Sequence, residues 1–161
     1  MKVLVIGSNS FSGSNFVNYL LGRDHEVMAM SRSKEPNSVF LPYTWTTKKP
    51  INLSFLQLDM NKDLDEIVNK IKLFKPIYIV NFAAQGMVAE SWIHPHHWYE
   101  TNIMSKIKLY DFLSKKINFK KYIRISTPEA VGNVDGFIFE NTKANPSTPY
   151  GISQLTTDLT L

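Results

Sequence analysis

Apolar residues gather in five short runs along the chain, and each run ends in small or polar residues. The runs are KVLVI at 2–6, HEVMAM at 25–30, LSFLQL at 53–58, IYIVNF at 77–82 and KYIRIS at 121–126. Nearly continuous apolar runs of this length are typical of strands buried on both faces of a parallel sheet. Segments with helical spacing separate them, so the pattern predicts an α/β fold with a doubly wound parallel sheet.

Apolar residues at helical spacing predict the segments between the strands. The first helix stops at Gly22, the second ends before Pro76, the third runs over about 95–115, and a fourth begins near Tyr150. The predicted apolar positions are Phe16, Val17, Leu20 and Leu21; then Leu64, Ile67, Val68 and Ile71; then Tyr99, Ile103, Ile107, Tyr110 and Leu109 or Leu113. Three prolines in 36–52 predict an irregular connection, with Tyr43 and Trp45 as its anchors.

The loop between the first strand and the first helix carries candidate cofactor chemistry. Gly7, Ser10 and Gly13 are spaced as the three glycines of a Rossmann dinucleotide-binding turn, and Phe11 opens the helix. Ser10 replaces the middle glycine, and its hydroxyl is able to donate to a phosphate oxygen. The helix start is an anion site in either case. The sequence therefore predicts a bound dinucleotide.

Residues at the ends of the next strands bear on which dinucleotide is bound. Ser31 and Arg32 follow the second strand, where an acidic residue would accept from the ribose hydroxyls of NAD. Since an arginine accommodates a 2′-phosphate, NADP is favoured over NAD, although Arg32 is equally able to stack on adenine or face water. Asp59, followed by Met60, either accepts from the adenine amino group or, like Asn61, caps the next helix. Small Ala83 and Ala84 would let a cofactor lie against the backbone.

Polar residues behind the fifth strand predict redox chemistry at a carbonyl. Ser126, Thr127 and Glu129 stand at the end of that strand, and Tyr150 opens the last helix. A hydroxyl at a strand end and a tyrosine on the next helix are able to meet above one nicotinamide. A phenol moves a proton there, and its neighbour positions the substrate hydroxyl.

Composition and charge bear on the number of domains, on nucleic-acid or metal binding and on the compartment. The chain has 161 residues, 43% of them apolar, which suits one domain over 1–161, and its net charge is +4. Paired lysines (Lys48 and Lys49, Lys115 and Lys116, Lys120 and Lys121) solvate a surface without the stripe of cations and aromatics that nucleic acid requires. The sequence has no cysteine and no apolar run long enough for a membrane span, so a cytoplasmic protein is expected. His94, His96 and His97 start a helix on different faces, and no metal is expected.

Six motifs in order resemble the extended short-chain dehydrogenase/reductase family, specifically its NAD(P)-dependent nucleotide-sugar epimerases and 4,6-dehydratases. They are GSNSFSG at 7–13, LDM at 58–60, NFAAQGMVAESW at 81–92, YETN at 99–102, ISTPEAVGN at 125–133 and NPSTPYGISQ at 145–154. The resemblance implies that Tyr150 transfers a proton and that Thr127 binds the sugar 4-hydroxyl. It also implies that Glu129 removes the C5 proton, as in a dehydratase, and that Asn102 is structural.

The sequence also departs from the family pattern. Pro128 stands where dTDP-glucose dehydratases carry a proton-donating aspartate, and Gln154 replaces the lysine that pairs with Tyr150. A lysine charge about 5 Å from a phenol, at an effective dielectric of ~20, is worth roughly 3 kcal/mol. Gln154 supplies no charge but is able to bond the nicotinamide ribose. Family members are about twice as long and dimerise through the helices that start here near Pro95 and Tyr150. An N-terminal part without the C-terminal substrate domain, and a homodimer, are therefore expected.

Overall fold

A computed structural model describes residues 1–45 and 50–161, so Lys48 and Lys49 lie outside the described residues. Five parallel strands form one sheet in the order β3-β2-β1-β4-β5. The strands are β1 (Lys2–Ile6), β2 (Glu26–Ser31), β3 (Leu53–Gln57), β4 (Tyr78–Asn81) and β5 (Lys121–Arg124). This is the predicted doubly wound arrangement, in which the strand order reverses between β1 and β4.

The helices follow the predicted order with different bounds. They are α1 (Phe11–Leu21), α2 (Leu64–Phe74), α3 (Pro95–Trp98), α4 (Ser105–Lys116) and α5 (Pro149–Thr160). A π-helical turn, Tyr99–Met104, joins α3 to α4, so the long helix predicted over 95–115 is not regular throughout. The segment 95–116 buries Trp98, Asn102, Ser105, Lys106, Leu109 and Leu113, whereas Tyr99 of the predicted apolar stripe is exposed. No described helix is long and apolar enough to cross a membrane.

The chain forms two compact units. The first comprises Met1–Ala83 and Phe112–Ile125, and the second comprises Ala84–Asp111 and Ser126–Leu161. The first unit holds the sheet, whose odd-numbered β1 residues Val3 and Val5 pack with Val17 and Leu20 of α1. On the even-numbered side, the Lys2 ammonium lies 5.3 Å from the ring of Phe74 in α2. Helices therefore cover both faces, which explains why the strands are apolar on both sides.

The connection between β2 and β3 contains two short 3₁₀ turns, Ser38–Phe40 and Pro42–Thr44. Tyr43 anchors it as predicted, since the ring is buried and the hydroxyl donates to Glu35 Oε1 at 2.8 Å. Trp45 does not bury its ring, which is 64% exposed, although its indole N–H donates to the Ser38 carbonyl at 3.0 Å.

Candidate functional site

The turn from β1 into α1 has no room for side chains at two positions. Gly7 has φ +77°, and a Cβ there would lie 2.5 Å from the Ala83 backbone nitrogen. A Cβ on Gly13 would lie 2.3 Å from the Gly7 carbonyl oxygen. Only glycine satisfies both positions. The two glycines therefore let the turn pack closely against the chain's own backbone, at Ala83 and at the Gly7 carbonyl.

Ser10 caps α1 from within this turn. Its hydroxyl oxygen accepts from the Gly13 N–H at 3.1 Å, and its proton goes to the Gly7 carbonyl at 2.8 Å. The Ser10 hydroxyl, which the sequence made a possible donor to a phosphate oxygen, is therefore bonded inside the loop. The first turn of α1 carries no acidic side chain, and Phe11 is 85% exposed. The N–H groups at the start of an α-helix lack partners in a preceding turn, which leaves those of Phe11 and Ser12 at a helix end that favours an anion.

Residues after β2 are tied to the glycine loop. Ser31 is buried, and its hydroxyl accepts from the Asn9 N–H at 3.0 Å. The Asn9 amide donates to the backbone carbonyls of Ser33 and Lys34, each at 2.9 Å. Arg32 lies between them and is exposed. Sequence reasoning missed Asn9; the only available signal was an asparagine in a turn, a residue type that commonly bonds nearby backbone.

Asp59 lies at the carboxyl end of β3, as expected, and is half-buried beside buried Met60. Its Oδ1 accepts from the Asn61 N–H at 2.9 Å, and its own N–H donates to Asp63 Oδ2 at 2.8 Å. Asp63 is the N-cap residue of α2, so the prediction that Asp59 or Asn61 caps this helix was wrong. The carboxylate of Asp59 closes the preceding turn instead. After β4, the Ala83 N–H donates to Asn81 Oδ1 at 2.9 Å.

The second unit brings the candidate catalytic segments together. A Cβ on Gly151 would lie 2.5 Å from the Glu129 carbonyl oxygen, so this glycine lets α5 pack directly on the 3₁₀ turn Pro128–Ala130. Thr127 caps that turn and accepts from the Glu129 N–H at 3.3 Å. Its own hydroxyl proton remains able to donate. Thr127, Glu129 and Tyr150 are all half-buried, as groups that meet a ligand should be.

Two hydroxyls fix the start of α5. Thr148 accepts from the Gly151 N–H at 2.9 Å, and buried Ser91 accepts from the Tyr150 N–H at 3.2 Å. Ser91 in turn donates to the Val88 carbonyl at 2.6 Å, which orients its lone pairs. The backbone of Tyr150 is therefore held from outside its own helix. Gln154, one turn further along α5, is 1% exposed.

Asn102 in the π-helical turn links three segments of the second unit. Its amide exchanges hydrogen bonds with the Gln85 backbone at 2.8 and 3.0 Å and donates to Ser153 Oγ at 3.0 Å. The Asn102 carbonyl accepts from the Thr157 hydroxyl at 2.5 Å. Asn102 is fully buried, and its place is structural, as the resemblance implied. Ala84, which precedes this anchored loop, is exposed.

The three histidines near α3 lie together, contrary to the expectation that they face different ways. Their ring centroids are 4.2, 5.4 and 6.1 Å apart, and His94 precedes the helix in a non-helical conformation with φ −136° and ψ 64°. Within residues 1–45 and 50–161, however, no group of three or more potential ligands has the arrangement to hold a metal ion.

Comparison with known proteins shows the family to which this chain belongs. The GDP-mannose 4,6 dehydratase family model matches residues 4–161. A probable dTDP-glucose 4,6-dehydratase of Sinorhizobium fredii is 25% identical over 98% of this chain and 47% of its own length. A putative UDP-glucose 4-epimerase of Methanocaldococcus jannaschii is 28% identical over 94% of this chain and 47% of its own length. The chain thus spans about half the length of the curated relatives it matches.

Solved structures agree with the sequence relatives. The dTDP-glucose 4,6-dehydratase DesIV of Streptomyces venezuelae, with NAD bound, is 25% identical with TM-score 0.83 over 99% of this chain and 50% of that chain. UDP-glucose 4-epimerase of Thermotoga maritima, with UDP-glucose, is 26% identical with TM-score 0.82 over 99% of this chain and 49% of that chain. The chain therefore belongs to the GDP-mannose 4,6 dehydratase family, among the nucleotide-sugar epimerases and dehydratases of the extended short-chain dehydrogenase/reductase type.

Proposed function

We propose that this chain is the cofactor-binding and catalytic part of an NAD(P)-dependent nucleotide-sugar 4,6-dehydratase or epimerase that transiently oxidises C4 of the sugar. One observation carries the proposal: the close approach of Gly151 to Glu129 joins the segment of Thr127 and Glu129 to the helix of Tyr150. Family membership supports the reaction class, and the spacing of Gly7 and Gly13 before a helix supports dinucleotide binding.

A bound nicotinamide would supply a hydride acceptor and would later return the hydride. The Tyr150 phenolate takes the proton of the sugar 4-hydroxyl, while the Thr127 hydroxyl hydrogen-bonds the same oxygen. In epimerisation the phenol returns this proton to the 4-oxygen. In dehydration C4 stays a ketone, the hydride would return to C6, and the phenol gives its proton to C5. The Glu129 carboxylate removes the C5 proton, which favours dehydration over epimerisation. The C6–O bond then breaks, and the leaving hydroxyl needs a proton. Pro128 has none to give, so the Glu129 carboxyl, now holding the C5 proton, is the acid that completes the loss of water.

The finer assignments concern cofactor and partners. We propose NADP ahead of NAD because Arg32 is exposed at the end of β2, where buried Ser31 offers no carboxylate to a ribose. The Asp59 carboxylate would accept a hydrogen bond from the adenine amino group. A nucleotide sugar is the proposed substrate, a second copy of this chain is the proposed protein partner, and the cytoplasm is the proposed compartment.

A second candidate is a dinucleotide-binding module of the same fold without turnover. The Ser10 hydroxyl is hydrogen-bonded within its own loop, and Pro128 has no side-chain proton to donate. Gln154 lacks the positive charge that lowers the pKa of a phenol. Each change removes one part of the catalytic apparatus while leaving the fold intact.

Product analysis separates the two candidates. The full chain is incubated with NAD or NADP and a panel of UDP-, GDP-, CDP- and dTDP-sugars, and products are sought by mass spectrometry as loss of water and by NMR as C4 inversion. Product that disappears in Tyr150→Phe but persists in Tyr43→Phe, a control tyrosine anchored by Glu35, supports catalysis. Cofactor binding without product from any sugar supports the module and contradicts the enzyme.

A further inference from the structure

We propose that Ser91 is a positioning residue for the proposed reaction, because it holds the backbone of Tyr150 and thereby sets the direction of the phenol. The inference rests on the proposed function, in which Tyr150 transfers the proton. Ser91 lies in the 3₁₀ turn Ala89–Trp92 and is 59 residues from Tyr150 in sequence.

Among the described residues, Ser91 supplies the one acceptor in the first turn of α5 that comes from another part of the chain. The first residue of α5 is a proline, which has no N–H. Thr148 Oγ1 accepts from the Gly151 N–H and the Thr148 carbonyl accepts from the Ile152 N–H, each at 2.9 Å. The Tyr150 N–H donates to Ser91 Oγ at 3.2 Å. Each of these N–H groups therefore has an acceptor, and that of Tyr150 depends on Ser91.

The Ser91 hydroxyl is itself fixed in direction. The side chain is fully buried, and its proton is donated to the Val88 carbonyl at 2.6 Å. The Ser91 N–H donates to the same carbonyl at 3.2 Å. Because its only proton is used in this way, the oxygen presents its lone pairs to the Tyr150 N–H. A buried and oriented acceptor restricts where the start of α5 lies.

The Tyr150 carbonyl is held by a second set of hydrogen bonds. The Ser153 hydroxyl donates to this carbonyl at 2.7 Å and accepts from the Asn102 amide at 3.0 Å. Asn102 Oδ1 accepts from the Gln85 N–H at 2.8 Å. The segment that follows β4 therefore holds both backbone polar groups of Tyr150, directly through Ser91 and indirectly through Asn102 and Ser153.

The direction of the phenol follows from this attachment. Side chains of an α-helix lean towards its amino end, and Tyr150 is in the first turn, so no earlier turn of α5 supports its ring. Its direction depends on how the start of the helix is held. Since proton transfer requires the two oxygens to lie within about 3.2 Å of each other, a small rotation of the helix start would lower the rate.

NMR of the full chain with 13C-labelled tyrosine tests the inference without requiring turnover. Ser91→Ala removes the hydroxyl, and Ser91→Cys fills the same space with a weaker hydrogen-bond acceptor, so the pair separates the bond from packing. Thr160→Ala is the matched control, since it removes a hydroxyl at the other end of α5 that donates to the Thr156 carbonyl at 2.6 Å. Circular dichroism and Tm show which variants are folded, and either folded Ser91 variant carries the test.

Both Ser91 variants should raise the exchange rate of the Tyr150 N–H by about fivefold to tenfold, the worth of one hydrogen bond, and should shift the Tyr150 ring signal. With a sugar that the parent chain converts, kcat should fall by about tenfold to a hundredfold while KM stays within about threefold. Thr160→Ala should leave the exchange rate, kcat and KM within about twofold of the parent chain.

A Tyr150 ring signal that is unchanged in the folded Ser91 variants would overturn the inference. Full recovery of the signal and of kcat in Ser91→Cys would overturn it too, because packing alone would then explain the loss in Ser91→Ala. Absence of product from every sugar with the parent chain would contradict the proposed function, and the ring signal would then decide by itself whether Ser91 holds Tyr150.

Discussion

At the scale of single residues, Gln154 is the change that most affects the proposed chemistry. It is fully buried on α5, one helical turn after Tyr150, at the position where the family resemblance implies a lysine. A free tyrosine has a pKa near ~10, so a phenol without a cationic neighbour is a poor base at neutral pH. For the proposed role of Tyr150 we therefore expect slow proton transfer.

Gln154→Lys should restore this charge. A cation about 5 Å from the phenol at an effective dielectric of ~20 moves the pH of half-maximal rate down by about two units. The measurement is the pH–rate profile of C4 oxidation, followed through nicotinamide absorbance, with Gln154→Met as the uncharged control of similar size. A profile identical in Gln154→Lys and Gln154→Met would contradict the assigned role of the charge.

Sequence spacing predicted the local structure around some of the candidate residues and not around others, for a physical reason. Gly7 and Gly13 were predictable because backbone contacts leave no alternative residue at either position. The Ser10 hydroxyl was not, since a serine offers the same donor to a phosphate and to a nearby carbonyl. His94, His96 and His97 were misplaced because the non-helical backbone of His94 lies outside the helical geometry that the spacing assumed.

At the scale of secondary-structure elements, α5 depends on a glycine for its packing. A Cβ at position 151 would lie 2.5 Å from the Glu129 carbonyl oxygen and 3.1 Å from Pro146 Cβ. Two backbone segments would have to separate to admit it. The approach of α5 to the turn Pro128–Ala130 therefore requires glycine even in mid-turn, where alanine is otherwise preferred.

Gly151→Ala should destabilise the protein by about 1–3 kcal/mol, in spite of the gain in helix propensity, because the added methyl group overpacks this contact. Gly86→Ala is the control in the same unit, since a Cβ there would meet no atom within 4 Å. Urea unfolding followed by circular dichroism measures both variants. Equal free energies of unfolding for the two would refute the packing account.

The contribution of Tyr43, in the β2–β3 connection, to the free energy of unfolding should decrease at alkaline pH. Burial raises the pKa of this phenol, and the hydrogen bond and charge of Glu35 raise it further. The folded state therefore favours the protonated phenol, and this stabilisation is complete below pH ~10 and declines above it as the unfolded chain ionises. Tyr43→Phe should cost about 1 kcal/mol at pH 7, and the difference should narrow above pH 10. Urea unfolding at pH 7 and pH 11 tests this; a constant difference would contradict it.

Elements were predictable from periodicity to within one or two residues at their ends. The five strands and α1 follow directly from apolar runs and from Gly22. The π-helical turn Tyr99–Met104 was not foreseen, because the spacing on either side of it is helical and a single inserted residue has no sequence signal of its own. That turn carries Asn102, which hydrogen-bonds to Gln85 and Ser153. Both partners are distant from Asn102 in sequence, so local spacing does not predict these bonds.

At the scale of the whole molecule, the family is established, and the separate roles of the two compact units are a proposal. The first compact unit carries the glycine turn and the second carries Tyr150, Thr127 and Glu129. Each unit is built from segments that are not contiguous in sequence, whereas the prediction of one domain over 1–161 rested on chain length and apolar content. The motifs in order were nevertheless sufficient to predict the family that the matched model establishes.

The central claim is that the turn Gly7–Gly13 binds a dinucleotide, and amide NMR of the labelled full chain tests it most directly. On addition of NADP or NAD, the largest shifts of backbone N–H signals should fall in 7–13 and at Ser31 and Arg32, with smaller changes at Asp24 on the opposite end of β2. Shifts that bypass 7–13, or an unchanged spectrum at millimolar cofactor, would contradict the account.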